Sequence, residues 1–177
     1  MAAILNLIRS SPVTAAAYAI AAGGAAAILG AWFFQYVVGL NPCPLCLEQR
    51  TAYYIAIPLA VLIVFGASAG AARKVLLAAL VVIAEIMLWN AGLGVYHAGV
   101  EWKWWQGPRD CSGPMTSFGS AGGLLRQIQA TSVVRCDEIP WSFLGLSLAG
   151  YNALISFALA MIALWGFGAG MKKSAEE

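Results

Sequence analysis

Four stretches of this chain are almost free of charge, at roughly 13–39, 53–70, 75–99 and 143–170, and the polar residues gather between them. About 20 helical residues, each rising 1.5 Å, cross a bilayer core, and every one of these runs is long enough. Hydrocarbon offers the backbone no hydrogen-bond partner, so spanning segments are helices or a closed barrel. Unbroken apolar sequence excludes the alternating pattern of barrel strands. Four soluble helices of this composition would have no polar faces. The pattern therefore predicts an all-α membrane protein, a four-transmembrane-helix bundle forming a single domain over 1–177. A short loop at about 40–50 and a long loop at about 100–142, between the third and fourth helices, complete it.

Composition agrees, with 61% hydrophobic and 10% charged residues. A net charge of +2 without a basic run gives no reason to expect a nucleic-acid partner. The first apolar run follows Arg9 but far exceeds a signal-peptide core of about 7–15 residues, so it reads as a permanent span. Parity puts both termini and the turn 71–74 on one side and both loops on the other. All four cysteines (Cys43, Cys46, Cys111 and Cys136) then face one compartment. Arg9, Arg73, Lys74, Lys172 and Lys173 on the terminal side equal in number Arg50, Lys103, Arg109, Arg126 and Arg135 on the cysteine side, but the first set all flank helix ends in short segments whereas most of the second is diluted along the long loop. Charge density in short segments sets orientation, so the termini are expected to be cytoplasmic. Disulfides persist outside the cytosol, which agrees.

Trp102, Trp104, Trp105 and Trp141 suit the headgroup level. Gly122–Ala130 has one apolar helical face, fitting a short helix lying on the membrane or packed on its neighbours. Small residues crowd the first span from Ala15 to Gly30, as expected of a tightly packed bundle.

The chemistry centres on Cys43-Pro44-Leu45-Cys46, a spacing that supports a reversible dithiol/disulfide switch. A second span starting near Cys46 would put that sulfur at a helix N-terminus, where the macrodipole favours a thiolate. Arg50, one turn on along the same face, adds a fixed positive charge. Cys111 and Cys136 form a second pair, and four cysteines allow three pairings. His97 lies near the outer end of the third span, on the face of Asn90, and Gln35 near the outer end of the first. Both are polar groups available to a reducible ligand. Glu85 falls near mid-membrane, where neutralisation or a hydrogen bond between helices is expected.

These residues resemble the bacterial disulfide-bond formation protein B (DsbB) family of inner-membrane thiol oxidases. Phe33-Phe34-Gln35 through Pro42-Cys43-Pro44-Leu45-Cys46 to Arg50 looks like that family's first periplasmic loop. Cys136 followed by Trp141-Ser142-Phe143-Leu144-Gly145-Leu146 resembles its entry to the fourth helix, and Tyr96-His97, Trp105-Gln106-Gly107-Pro108 and Cys111-Ser112-Gly113 look like one branch of it. One departure is that Gln49 precedes the arginine, with Glu48 one residue earlier, where family members carry glutamate at the adjacent position. The resemblance implies a multi-pass protein of the bacterial inner membrane with periplasmic cysteines. Cys111 would form the mixed disulfide with a periplasmic thioredoxin-like DsbA-type protein, with Cys136 as its partner. Electrons would pass to Cys43, and Cys46 would deliver them to a membrane quinone, ubiquinone or menaquinone, held near Arg50, with His97 close by. No metal is expected.

Three other readings use the same cysteines. A membrane thiol reductase would run electrons outward, a metal-binding or transport protein would use the four sulfurs as one ligand cluster, and a structural subunit would hold inert disulfides. Reduction potentials and bound metal separate them.

Overall fold

In the computed structural model the described residues are 11–108 and 136–176. Helix α1 runs Pro12–Trp32 and passes into a five-residue π-helical segment, Phe33–Val37. Helices α2 (Pro44–Ser68), α3 (Arg73–Glu101) and α4 (Leu148–Glu176) follow, with strands β1 (Ser142–Phe143) and β2 (Leu146–Ser147) just before α4. The spans Pro12–Val37, Pro44–Ser68, Arg73–Glu101 and Leu148–Lys172 are each long and apolar enough to cross a membrane. The four-helix expectation is met.

Two helices start elsewhere than the apolar runs do. α2 begins at Pro44 rather than near Tyr53, because proline at its first position and Cys43 as N-cap start the helix before the apolar sequence does. α4 begins at Leu148 because a tight hairpin comes first, pairing Ser142 with Ser147 and Phe143 with Leu146. Its two turn residues, Leu144 and Gly145, both have positive φ (50° and 80°), as a type I′ turn requires.

The helices pack in a ring, each against two neighbours, with α3 against α4 the most extensive contact and α1 also closing on α2 and α4. Close approach depends on small residues. A Cβ at Gly24 would come 2.9 Å from Ile57 Cγ1, and one at Gly94 would come 2.9 Å from the backbone nitrogen of Ala153. The main core joins Ala16, Ile20, Ile63, Leu80, Ile83, Met87 and Ala160, all essentially inaccessible. Toward the loop side, Tyr53, Asn90, Asn152 and Ser156 form a polar knot across α2, α3 and α4: Tyr53 donates its hydroxyl hydrogen to Asn152 (2.8 Å) and Asn90 donates to Ser156 (2.9 Å). Bonds between helices of this kind fix register where lipid offers no alternative partner.

At the loop end of the bundle a second, smaller apolar cluster gathers Cys43, Leu45, Val100 and Cys136. After α3 the chain turns back, so that Trp105 donates its indole N–H to the Tyr96 carbonyl (2.8 Å) and stacks on the Tyr96 ring. The predicted loop helix Gly122–Ala130 and Cys111 lie outside the described residues.

Candidate functional site

Helix α2 opens on Cys43, whose extended backbone (φ −75°, ψ 166°) lets its sulfur accept the Cys46 N–H at 3.3 Å. The sulfur at the helix N-terminus is therefore Cys43 and not Cys46, correcting the expectation that the span starts at the second cysteine. Both thiols are free, and the two sulfurs lie 3.0 Å apart. The Cys43 thiol is brought down from 9.0 to about 4. The hydrogen bond with Cys46 contributes most, while His97 and the Cys46 N–H add to it against the opposing effect of burial.

The CxxC lies across the first turn of α2, so that its two sulfurs look toward different neighbours. On one side, Cys43 Sγ is 3.6 Å from His97 Nε2 on α3. The other ring nitrogen, Nδ1, accepts a hydrogen bond from the Gln49 amide at 3.0 Å, which leaves the ring proton on Nε2, facing Cys43. One turn beyond His97, the buried Glu101 places a carboxylate oxygen 4.0 Å from Nε2 and accepts a hydrogen bond from the Ser147 hydroxyl on β2. Ser147 in turn accepts the Gly150 N–H (3.2 Å). Gln49, His97, Glu101 and Ser147 are all buried, and they form a continuous polar path from α2 through α3 to the start of α4.

On the other side, Cys46 shares its helix face with Arg50, one turn along. Arg50 donates a guanidinium hydrogen to Gln35, which projects from the π-helical segment ending α1. Both are half-buried and border a lipid-facing surface with the exposed Tyr36, Val37, Leu47 and Tyr54. Phe34 next to Gln35 packs on Trp141, with ring centroids 4.8 Å apart, which ties the end of α1 to the chain leading into the hairpin.

Cys136 completes the centre. It is 1% exposed and disulfide-bonded, and its sulfur, Cys43 Sγ and a ring nitrogen of His97 all lie within 4.8 Å of one another. Two cysteines 93 positions apart in sequence are thus within reach of thiol–disulfide exchange. Three such donors also fit a soft metal ion, but a sulfur held in a disulfide offers no thiolate to one.

Of the residues expected from sequence, the fold brings Cys43, Cys46, His97 and Cys136 together and joins Arg50 to Gln35. Asn90 shares the His97 face but belongs to the separate knot with Ser156. Glu85 corrects the reading that places it between helices: it lies on the exposed face of α3. Glu101 and Ser147 were missed. Glu101 reads as a loop residue beyond the apolar run, and only the extension of α3 to that position places it one turn from His97.

Comparison with known proteins places the chain in a family. The profile of the family described as disulfide bond formation protein DsbB matches residues 13–166. Disulfide bond formation protein B of Polaromonas sp. (strain JS666 / ATCC BAA-500) is 30% identical over 139 residues, covering 75% of this chain and 77% of that protein. The proteins of the same name from Xanthomonas oryzae pv. oryzae (strain MAFF 311018) and Hahella chejuensis (strain KCTC 2396) are 30% and 31% identical, covering 79% and 77% of this chain and 80% and 81% of theirs. No solved structure matches. Four membrane-crossing helices, a CxxC capping the second of them, and a profile match over most of the length establish that this chain belongs to the DsbB family of membrane disulfide bond formation proteins.

Proposed function

We propose that this protein reoxidises a periplasmic DsbA-type dithiol protein and passes the electrons through two cysteine pairs to a membrane quinone, from the bacterial inner membrane with both termini cytoplasmic. The observation that carries this reading is the convergence of Cys43, His97 and Cys136 within 4.8 Å, beside a second sulfur 3.0 Å from Cys43.

The steps balance as successive thiol–disulfide exchanges. A thiolate of the reduced partner attacks the Cys111–Cys136 disulfide at Cys111, and the partner's second thiol resolves the mixed disulfide. The partner leaves oxidised, and Cys111 and Cys136 are left as thiols. The Cys136 thiolate then attacks Cys43 of the Cys43–Cys46 disulfide, so that a Cys43–Cys136 bond forms and Cys46 departs as a thiolate. Attack by Cys111 on Cys136 restores the outer disulfide and releases Cys43. The inner dithiol then carries the two electrons and two protons taken from the partner.

His97 Nε2–H faces the sulfur of Cys43 and stabilises negative charge there each time Cys43 is the leaving group. Gln49 holds the tautomer that makes this possible, and the Glu101 carboxyl, 4.0 Å from the same nitrogen, adds an acidic neighbour that favours positive charge on the ring. On the opposite side, Arg50 offers a fixed donor array at headgroup depth beside Cys46, and Gln35 orients it. A quinone headgroup has carbonyl oxygens that need such donors and a tail that needs lipid, so the donor set and the open apolar border fit one. When bound, the quinone supplies a lipid-soluble two-electron, two-proton acceptor.

The test is turnover of the purified full-length protein with reduced DsbA-type partner and either ubiquinone or menaquinone, read as quinone absorbance. Wild type should reduce one of the quinones. Cys46→Ser should abolish turnover, because without a Cys43–Cys46 disulfide nothing accepts the electrons held by the outer pair, which should stay reduced in the presence of reduced partner. Absence of quinone reduction by wild type, or full turnover by Cys46→Ser, overturns the proposal.

A further inference from the structure

Glu85 stands at an unusual place. It is the thirteenth residue of the 29-residue helix α3, so at 1.5 Å per residue it lies about 18 Å from the helix start and about 24 Å from its end. A carboxylate side chain is too short to reach either headgroup layer from there, unlike lysine or arginine, which snorkel. Its side of the helix faces away from the bundle: Glu85 is exposed, and among the described residues none hydrogen-bonds to it. An ionisable group facing hydrocarbon near the bilayer centre is costly, and such groups almost always find a partner inside protein.

The neighbouring surface shows what kind of partner fits. Ala78, Glu85 and Gly92 recur at seven-residue spacing along α3, all three exposed, and a Cβ added at Gly92 would meet nothing within 4 Å. This is a stripe with small residues one heptad above and below the carboxyl group, flanked by the exposed Val82 and by Trp89, which is 75% exposed. Small residues at this repeat let a second helix approach closely, with a left-handed crossing. The exposed membrane surface of the chain carries no cation at the depth of Glu85, among the described residues, so a second copy cannot offer it an opposite charge. It can offer an identical group. A carboxylic acid is both donor and acceptor, which makes a pair of them self-complementary, and a two-fold axis brings identical residues face to face.

We infer that α3 is a homodimerisation helix, with Glu85 of two copies hydrogen-bonded across a two-fold axis in the bilayer and Ala78 and Gly92 lining the close contact. Both copies keep their cysteine centres, which lie at the loop end of the bundle, so each remains a complete unit. The inference is independent of the electron route proposed above.

The experiment is single-molecule photobleaching of the full-length protein in liposomes at decreasing protein-to-lipid ratio, with the unmodified chain compared with Glu85→Gln and Glu85→Leu. The unmodified protein should give two-step bleaching well above the random co-occupancy of a monomeric control. Glu85→Gln keeps one donor and one acceptor and should retain most of the dimer. Glu85→Leu removes the bond while keeping the apolar surface, and should shift dissociation to at least about tenfold higher protein density. Gly92→Ile, which fills the close contact without touching the carboxyl, should do the same. A monomer at every ratio overturns the inference, as does a Glu85→Leu variant that dimerises as well as the unmodified chain. Loss of the dimer in Glu85→Gln as complete as in Glu85→Leu would show that a side chain with hydrogen-bond donor and acceptor at this depth does not hold the two copies together, and would also overturn it. An unchanged far-ultraviolet circular dichroism spectrum and denaturation midpoint of Glu85→Leu in micelles show that the variant is folded.

Discussion

A methyl group added at Gly94 tests whether the α3–α4 contact is what holds the site together. Its Cβ would lie 2.9 Å from the backbone nitrogen of Ala153 and 3.0 Å from that residue's Cα. Ordinary carbon contacts are about 3.5–4.0 Å, so the two backbones must part by roughly 0.5–1 Å. No flexible side chain is available to move aside. Overpacking of this kind costs about 1–3 kcal/mol. Glycine-to-alanine exchange in a helix returns about 0.5–1 kcal/mol, which would blur the result, so the comparison is with Gly168→Ala on α4. There an added Cβ meets nothing within 4 Å, and only the propensity gain applies. The stability difference between the two variants should therefore equal the overpacking cost, about 1–3 kcal/mol in favour of Gly168→Ala. The assay is reversible denaturation in mixed micelles, followed by far-ultraviolet circular dichroism. Function should follow stability, because His97 lies three residues beyond Gly94 and Glu101 seven, while Ser147 lies six before Ala153. Parting the helices pulls the Ser147 hydroxyl from Glu101 and weakens the hold on His97, so turnover should fall in Gly94→Ala and not in Gly168→Ala. Equal stability of the two variants would refute the reasoning, and so would a destabilised Gly94→Ala with unchanged turnover.

Acidity and charge at the site provide two more tests. The Cys43 thiol is held near 4, chiefly by its hydrogen bond with Cys46, against a usual value of 9.0. The folded-state value is the lower one, so the thiolate contributes its full stability above about 9, the contribution declines as pH falls, and it is gone below about 4. In the protein with a reduced CxxC, thiolate ultraviolet absorbance assignable to Cys43 by its loss in Cys43→Ser should persist at pH 6 and vanish with a midpoint near 4; a midpoint near 9 would contradict the capping geometry. Arg50→Met should raise the apparent KM for quinone at least about tenfold while leaving the rate of partner oxidation by the Cys111–Cys136 disulfide in a single turnover unchanged, and Arg50→Lys should restore only part of it, since a point charge does not replace the planar donor array; an unchanged KM in Arg50→Met would remove Arg50 from the acceptor side.

The four spans were readable because hydrocarbon admits few backbone solutions and long apolar runs leave only one of them. Their ends were less readable, since hydropathy marks depth in the bilayer whereas helices begin where capping chemistry starts them. Glu48, Gln49 and Arg50 interrupt the apolar run without interrupting α2, and Pro44 behind a Cys43 cap had already begun it. Leu144-Gly145 delays α4 in an apolar stretch that looks continuous. Within the site, the pairing of Cys46 with Arg50 followed from helical spacing alone. The approach of His97 to Cys43, 54 positions away, depends on how α2 packs on α3, and the Glu101–Ser147 bond depends on both the end of α3 and the hairpin before α4. The depth of Glu85 was legible from its place in the apolar run, but not its direction, because α3 is apolar on every side and so shows no face to the core by pattern.

The capping of α2 by Cys43 has a consequence for how the oxidation state is felt by the backbone. In the reduced protein the Cys46 amide hydrogen is bound to a sulfur that carries negative charge. Once that sulfur enters a disulfide, with either Cys46 or Cys136, it becomes a neutral and poorer acceptor, and the first turn of α2 loses its anionic anchor. The helix that positions Gln49 and Arg50 is thus firmest at its start when the protein holds its electrons and loosest once they have gone. Each cycle of chemistry is also a cycle of fastening and release at the head of one helix, and amide exchange at Cys46 is where it would be read.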